Sequence, residues 1–234
     1  MKKALLLVPL LILAGAAATD GAENRTLNHS VPVGSIEKLV LDSGIGDVEI
    51  QGVGNTSEVT IEVVLTPRRG GFFSSKRRAA QDVESASLST EVRGDRLTLH
   101  IAPKADDERR FEESWSILVP DTIAVEVDHG VGDIDIRGID GGVGIDSGVG
   151  EIRVEAEAGD IMIDLGVGTA VVRAPAAAFA SAEGAGGVGD ARLTVRGKKI
   201  SSGGFVSHSA TWEGDGRFHI EVSVGVGDAV ITLD

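Results

Sequence analysis

Between Asp128 and Ala174 the chain repeats itself every nine residues. Gly132, Gly141, Gly150, Gly159 and Gly168 occupy one slot of the repeat. Two residues on stand Ile134, Val143, Ile152, Ile161 and Ala170, and two beyond those stand Ile136, Ile145, Val154, Ile163 and Val172. Side chains two apart on a β-strand point to the same face, so each unit offers a pair of apolar groups to one side. A fixed period of this kind builds stacked, self-similar units, each burying the apolar face of its neighbour. Glycine at constant phase answers a need for positive φ or for close backbone contact.

Alternate units carry a fuller motif: Asp128-His129-Gly130-Val131-Gly132-Asp133, Asp146-Ser147-Gly148-Val149-Gly150-Glu151 and Asp164-Leu165-Gly166-Val167-Gly168-Thr169. The true repeat is therefore eighteen residues, made of two nine-residue strand-plus-turn segments. The expected fold is all-β: a single-stranded, right-handed β-solenoid with eighteen-residue coils, capped by irregular β segments. The motif returns off the strict period at Asp42–Asp47, Gly187–Asp190 and Gly225–Asp228, and these segments should stack on the same body. Gly44, Gly46, Gly130, Gly132, Gly148, Gly150, Gly166, Gly168, Gly187, Gly189, Gly225 and Gly227 are the expected structural turn positions.

Lys2 and Lys3, the apolar run Ala4–Leu13 and the small residues Ala14, Ala16 and Ala18 together read as an export signal over residues 1–18. A flexible leader is expected over 19–35 and one domain over 36–234, with its regular core at 121–174. No cysteine follows the apolar run, so the expected product is periplasmic or secreted and not a lipoprotein. The chain has no cysteine at all, so stability must come from its core and backbone ladders rather than disulfides. No later run is long enough for a spanning helix. A formal charge of −14 argues against a nucleic-acid partner, which needs a basic face.

Either side of the regular core, alternating runs read as strands, with a hairpin turn at Gly94-Asp95 and a break in the period at Pro175–Ala182. No amphipathic helix is expected. The irregular segments before Pro120 and after Gly197 should cover the ends of the stack, because bare sheet edges template aggregation.

The run Trp115–Pro120, then Val125-Glu126-Val127 and Gly130–Ile134, together with the ending His219–Asp228, resembles the bacterial β-strand-repeat family labelled putative adhesin. The resemblance covers roughly Ile36 to the C-terminus. It implies the repeat fold and an adhesin-like role, and it transfers no binding residues.

Three groups of residues are candidates for chemistry. Asp128, Asp146 and Asp164 should stack on successive rungs, where they are weak candidates for a Ca²⁺ ladder. The plainer reading makes each a turn residue bonded to its own downstream backbone, and it is preferred. Arg68, Arg69, Lys76, Arg77 and Arg78 surround Phe72 and Phe73 in what reads as a flexible loop, the candidate contact for anionic lipid, lipopolysaccharide or an acidic partner. A solvated insertion paired with nearby acids, Glu112 and Glu113 among them, is the competing reading. His29, His100, His129, His208 and His219 are dispersed, and Asp128 and His129 should face opposite ways.

No catalytic constellation and no cofactor site is read from the sequence. The expected function is a non-catalytic exported envelope protein, a scaffold or adhesin-like module whose partner is an envelope protein or polysaccharide. A polysaccharide-active β-helix enzyme and a Ca²⁺-stabilised secreted module are the alternatives.

Overall fold

A computed structural model describes residues 24–68, 76–102, 111–200 and 208–234. In chain order the elements are β1 (Arg25–Pro32), β2 (Lys38–Ile45), β3 (Val48–Gly52), β4 (Glu58–Pro67), α1 (Lys76–Ser85), β5 (Ser87–Arg93), β6 (Arg96–Ala102) and β7 (Phe111–Val119). They continue with β8 (Ala124–Val131), β9 (Ile134–Arg137), β10 (Val143–Glu155), β11 (Ile161–Ala174), β12 (Phe179–Val188), β13 (Ala191–Val195), β14 (Lys198–Ile200), β15 (His208–Glu213) and β16 (Phe218–Leu233). Among the described residues the fold is all-β apart from α1 and a 3-10 turn at Ala176–Ala178.

The nine-residue period appears in β10 as two strand segments joined at a corner. Val143, Ile145 and Ser147 are buried, then four residues from Gly148 to Glu151 are not, then Ile152 and Val154 are buried again. The corner therefore switches the buried parity from odd to even, and both segments serve one contiguous core. β10 pairs in parallel with β11 from Val143↔Ile161 to Glu155↔Arg173, an offset of eighteen residues. On its other edge it pairs at the same offset, Val143↔Val125 with β8 and Ile152↔Ile134 with β9.

This parallel register extends in both directions. β2 and β3 stack on β8 and β9, and β6 and β7 stack in turn on β2 and β3. At the far end β16 stacks on β11, and β12 and β13 stack on β16. The motif at Asp42–Asp47 and the two later copies thus join the same body as expected. Antiparallel strands cover the ends: β5 lies on β6, β4 then β1 follow β7, β15 lies on β12 and β14 on β13. The Gly94-Asp95 turn joins β5 to β6 as a hairpin, Arg93↔Arg96.

One buried column runs Trp115, Val48, Ile134, Ile152, Ala170, Ala229 and Ala191 across the rungs. Ile134, Ile152, Ala170 and Ala229 are completely buried. Burying a side chain such as Ile152 contributes roughly 1.5–3 kcal/mol, and repetition over the rungs makes the stack cohesive.

Three features depart from the sequence reading. Arg25–Pro32, assigned to the flexible leader, is β1, paired along its whole length with β4. Residues 76–85, read partly as a loop, form α1, whose Ala79 and Val83 are buried at a spacing of four. The Arg25 guanidinium caps α1, donating to the carbonyls of Val83, Glu84 and Ala86 at 3.0, 2.7 and 2.6 Å. The segments before Pro120 are more than caps, since β2, β3, β6 and β7 are parallel members of the stack. The order of the stack also differs from chain order: β16 lies between β11 and β12, although it follows β12 in sequence.

Candidate functional site

The corner of each rung presents three columns. At its apex stand Ile45, Val131, Val149, Val167, Val226 and Val188, in register from rung to rung. The five valines are 44–67 % exposed, which is unusual for a branched apolar side chain in so ordered a body. They project because the glycines beside them let adjacent backbones touch. A Cβ at Gly132, Gly150, Gly168 or Gly227 would overlap the carbonyl oxygen of the equivalent glycine next door. Gly132 and Gly168 also hold φ at +142° and +144°.

Acidic side chains flank the valines. On one side Asp42, Asp128, Asp146 and Asp164 are in register on four successive rungs. Asp128, Asp146 and Asp164 are exposed, and among the described residues none of the three has an ion-pair partner. On the other side Asp47, Asp133 and Glu151 follow one another. The Asp47 carboxylate accepts the Asp133 backbone N–H at 3.2 Å, and the Asp133 carboxylate accepts the Glu151 N–H at 2.9 Å. Asp228 does the same for the Asp190 N–H at 3.0 Å. These carboxylates therefore tie one rung to the next. Among the described residues no group of three or more His, Cys, Asp or Glu is placed to hold a metal ion.

A groove of about 480 Å³ lies on the outer face where β4, β7, β3, β9 and β10 run side by side. Register brings Glu62, Ser116, Glu49, Asp135 and Arg153 into one row across it. Arg137 pairs with Asp135 at 2.5 Å, and Arg153 with Glu151 at 2.6 Å. Its lining is acidic, and its one aromatic, Trp115, is buried and offers no stacking platform.

Beneath the corner of the first rungs lies a buried polar cluster that the sequence reading missed. Glu113 is completely buried and accepts from Ser43 Oγ at 3.1 Å, Trp115 Nε1 at 3.0 Å and the Gly44 N–H at 3.5 Å. Its signal was present: in β7 the buried phase is Phe111, Glu113, Trp115, Ile117 and Val119. His129 and Ser147 continue inward in register from Ser43, and Leu165 takes the next place in the column. Burial lowers the pKa of His129 below its ordinary value, opposed by the carbonyls of Gly46 and Val131 and by the carboxylates of Glu113 and Asp47. Those carbonyls lie near the ring without reaching hydrogen-bond geometry. Asp128 faces solvent while His129 faces the core, so the two form no catalytic pair.

The basic candidates are divided by the structure. Arg68 is exposed, 3.6 Å from Glu112. Arg69, Phe72 and Phe73 lie outside the described residues. Lys76, Arg77 and Arg78 open α1. Residues 1–18, read above as an export signal, also lie outside the described residues, and no described helix is long and apolar enough to cross a membrane.

No family model and no curated protein matches the sequence. Among solved structures, a putative cell adhesion protein from Clostridium sporogenes ATCC 15579 superposes with a TM-score of 0.59 at 18% identity, over 91% of this chain and 100% of that one. The two chains share a fold. A putative adhesin from Bacteroides fragilis NCTC 9343 aligns over 90% of this chain and 97% of that one, at 10% identity and a TM-score of 0.30.

Proposed function

We propose that this chain is a non-catalytic, exported envelope protein, an adhesin-like binding module built on a rigid scaffold. In this reading the parallel rungs wind as a right-handed β-solenoid of eighteen-residue coils, and residues 1–18 direct export. The observation that carries the reading is the stack itself. Its rungs repeat the same outward residues in register while both ends are covered by antiparallel strands. Such a body offers long repetitive outer faces, the surface a binding module needs. Its fold is also that of the putative cell adhesion protein from Clostridium sporogenes.

The anionic contact is assigned to Arg68, Arg69, Lys76, Arg77 and Arg78 with Phe72 and Phe73. Changing the five cations to Gln should leave the melting temperature within a few degrees and abolish retention on anionic envelope fractions. Retention equal to the parent would remove that segment from the binding surface.

The acidic groove favours one rival, a polysaccharide-active enzyme using Glu49, Glu62 or Asp135. Incubation with envelope polysaccharides decides between them: binding without new reducing ends supports the module, and release of oligosaccharides lost in Glu49→Gln or Glu62→Gln supports the enzyme.

A further inference from the structure

We propose that the valine column at the rung corners is a docking strip for a cationic amphipathic helix of a partner protein. Two independent columns carry this. The first is apolar: Val131, Val149, Val167, Val226 and Val188 stand in register, each at least 44% exposed, with Ile45 extending the line. Single exposed valines are ordinary, but a continuous file of them along one edge is not. The second is charged: Asp128, Asp146 and Asp164 run beside the valines with no ion-pair partner among the described residues. Neighbouring rungs are about 4.8 Å apart, so these carboxylates repel one another at a spacing that a bound row of cations would relieve.

The dimensions select a helix. Five rung spacings make the strip roughly 24 Å long, which is the length of a helix of about sixteen residues. One helical turn rises about 5.4 Å, close to one rung, so apolar residues at i, i+3, i+4 and i+7 can meet successive valines. An extended strand laid along the stack would present same-face residues about 6.6–6.8 Å apart and lose step within two rungs. The Asp and Val positions are three residues apart in each rung, within about 10 Å. Lysines or arginines bordering the apolar stripe of such a helix reach that far.

Charge also excludes the competing occupants. A second copy laid face to face would bring two files of unneutralised aspartates together. An anionic membrane surface would be repelled by the same file. A helix bordered by acidic residues meets like charge along its length.

The test uses a synthetic helical peptide about eighteen residues long, with leucines along one face and lysines on both borders. Its controls are the same peptide with glutamates for lysines, and a scrambled Leu/Lys peptide. Binding is read by fluorescence anisotropy, with melting temperature and circular dichroism confirming the fold of every variant. The ordered lysine peptide should bind the parent protein and weaken as salt is raised. Changing Asp128, Asp146 and Asp164 together to Asn should weaken it about tenfold or more and flatten the salt dependence. Changing Val131, Val149 and Val167 together to Ser should weaken it to a similar extent. If the serine variant does not fold, Val→Thr at the same three positions keeps shape and strand preference while removing apolar surface.

Absence of binding would overturn the proposal. So would equal affinity for the scrambled or glutamate peptide, or affinity unchanged in both triple variants. A parent that is dimeric in solution and becomes monomeric on Val→Thr would instead assign the strip to a second copy, and would equally overturn it.

Discussion

Gly150 lies so close to Gly132 of the neighbouring rung that a Cβ on Gly150 would overlap the Gly132 carbonyl oxygen. The same contact recurs at Gly168 on Gly150 and at Gly227 on Gly168. The repeated glycine is therefore required by close approach of parallel backbones, with its conformational freedom a secondary matter. Gly54, whose Cβ would meet only the Asp121 carboxylate at 3.3 Å, is the control. Gly150→Val should cost about 3 kcal/mol or more, several times the cost of Gly54→Val. Urea denaturation of the two variants checks this, and equal midpoints would refute it.

The inner column gives the second expectation. Ile152 is completely buried between Ile134 and Ala170, with no polar partner for a charge. Ile152→Asp should cost at least about 4 kcal/mol or abolish folding, because an unpaired carboxylate is stranded in the core. Met162, 62% exposed on the outer face of β11, should accept Lys within about 0.5 kcal/mol. Thermal melts followed by far-ultraviolet circular dichroism distinguish the two.

His129 makes the fold sensitive to acid. Burial holds its pKa below the ordinary 6.5, so under that pH the unfolded chain takes up a proton that the folded chain resists. Its contribution to stability is complete above pH 6.5 and falls as the pH drops through that value. His129→Leu places in this slot the residue that Leu165 already supplies further along the column. The melting temperature of the variant should fall less than that of the parent between about pH 7.5 and about pH 5.5. Parallel pH profiles for the parent and the variant would refute the assignment of this acid sensitivity to His129.

β16 pairs with β11 on one edge and with β12 and β13 on the other. Deleting residues 218–234 removes a central rung rather than a terminal one. The truncated chain should lose its single cooperative transition and expose the edges of β11 and β12, with aggregation as the visible consequence. A soluble truncation that melts like the parent would show that β12 can close onto β11.

Calcium should do little. The Asp128, Asp146 and Asp164 file is a row of single carboxylates, while a Ca²⁺ ion asks for six to eight oxygens gathered around one point. Millimolar Ca²⁺ against chelator should shift the melting temperature negligibly. A rise of several degrees that disappears in Asp146→Asn would restore the metal ladder.

Much of the stack was legible because its signals are local. The period of nine, the doubled motif and the two-residue apolar spacing report strand phase directly, and an eighteen-residue offset is the register of β8, β10 and β11. Glycine at the corner of each unit signals positive φ or close backbone contact. β1 escaped because it is an edge strand, polar on its open face and only half-buried on the other, so its alternation is faint. α1 escaped because three basic residues open it and its buried side is only Ala79 and Val83. Glu113 escaped because a carboxylate in an apolar phase reads as a surface residue until Ser43, Gly44 and Trp115 are found donating to it.

What the sequence alone determined, then, is the rung: its length, its inward and outward sides, and the glycines at its corner. The order of the rungs was decided only in three dimensions. Gly166–Gly168, Gly187–Gly189 and Gly225–Gly227 carry the same glycine spacing and present nearly interchangeable edges, so no local signal says which stacks on which. Long-range pairing placed β16 against β11 and left β12 outside it. The same stacking aligned single valines and aspartates, unremarkable in each repeat, into continuous apolar and acidic files, because side chains eighteen residues apart become neighbours only when parallel backbones lie in register.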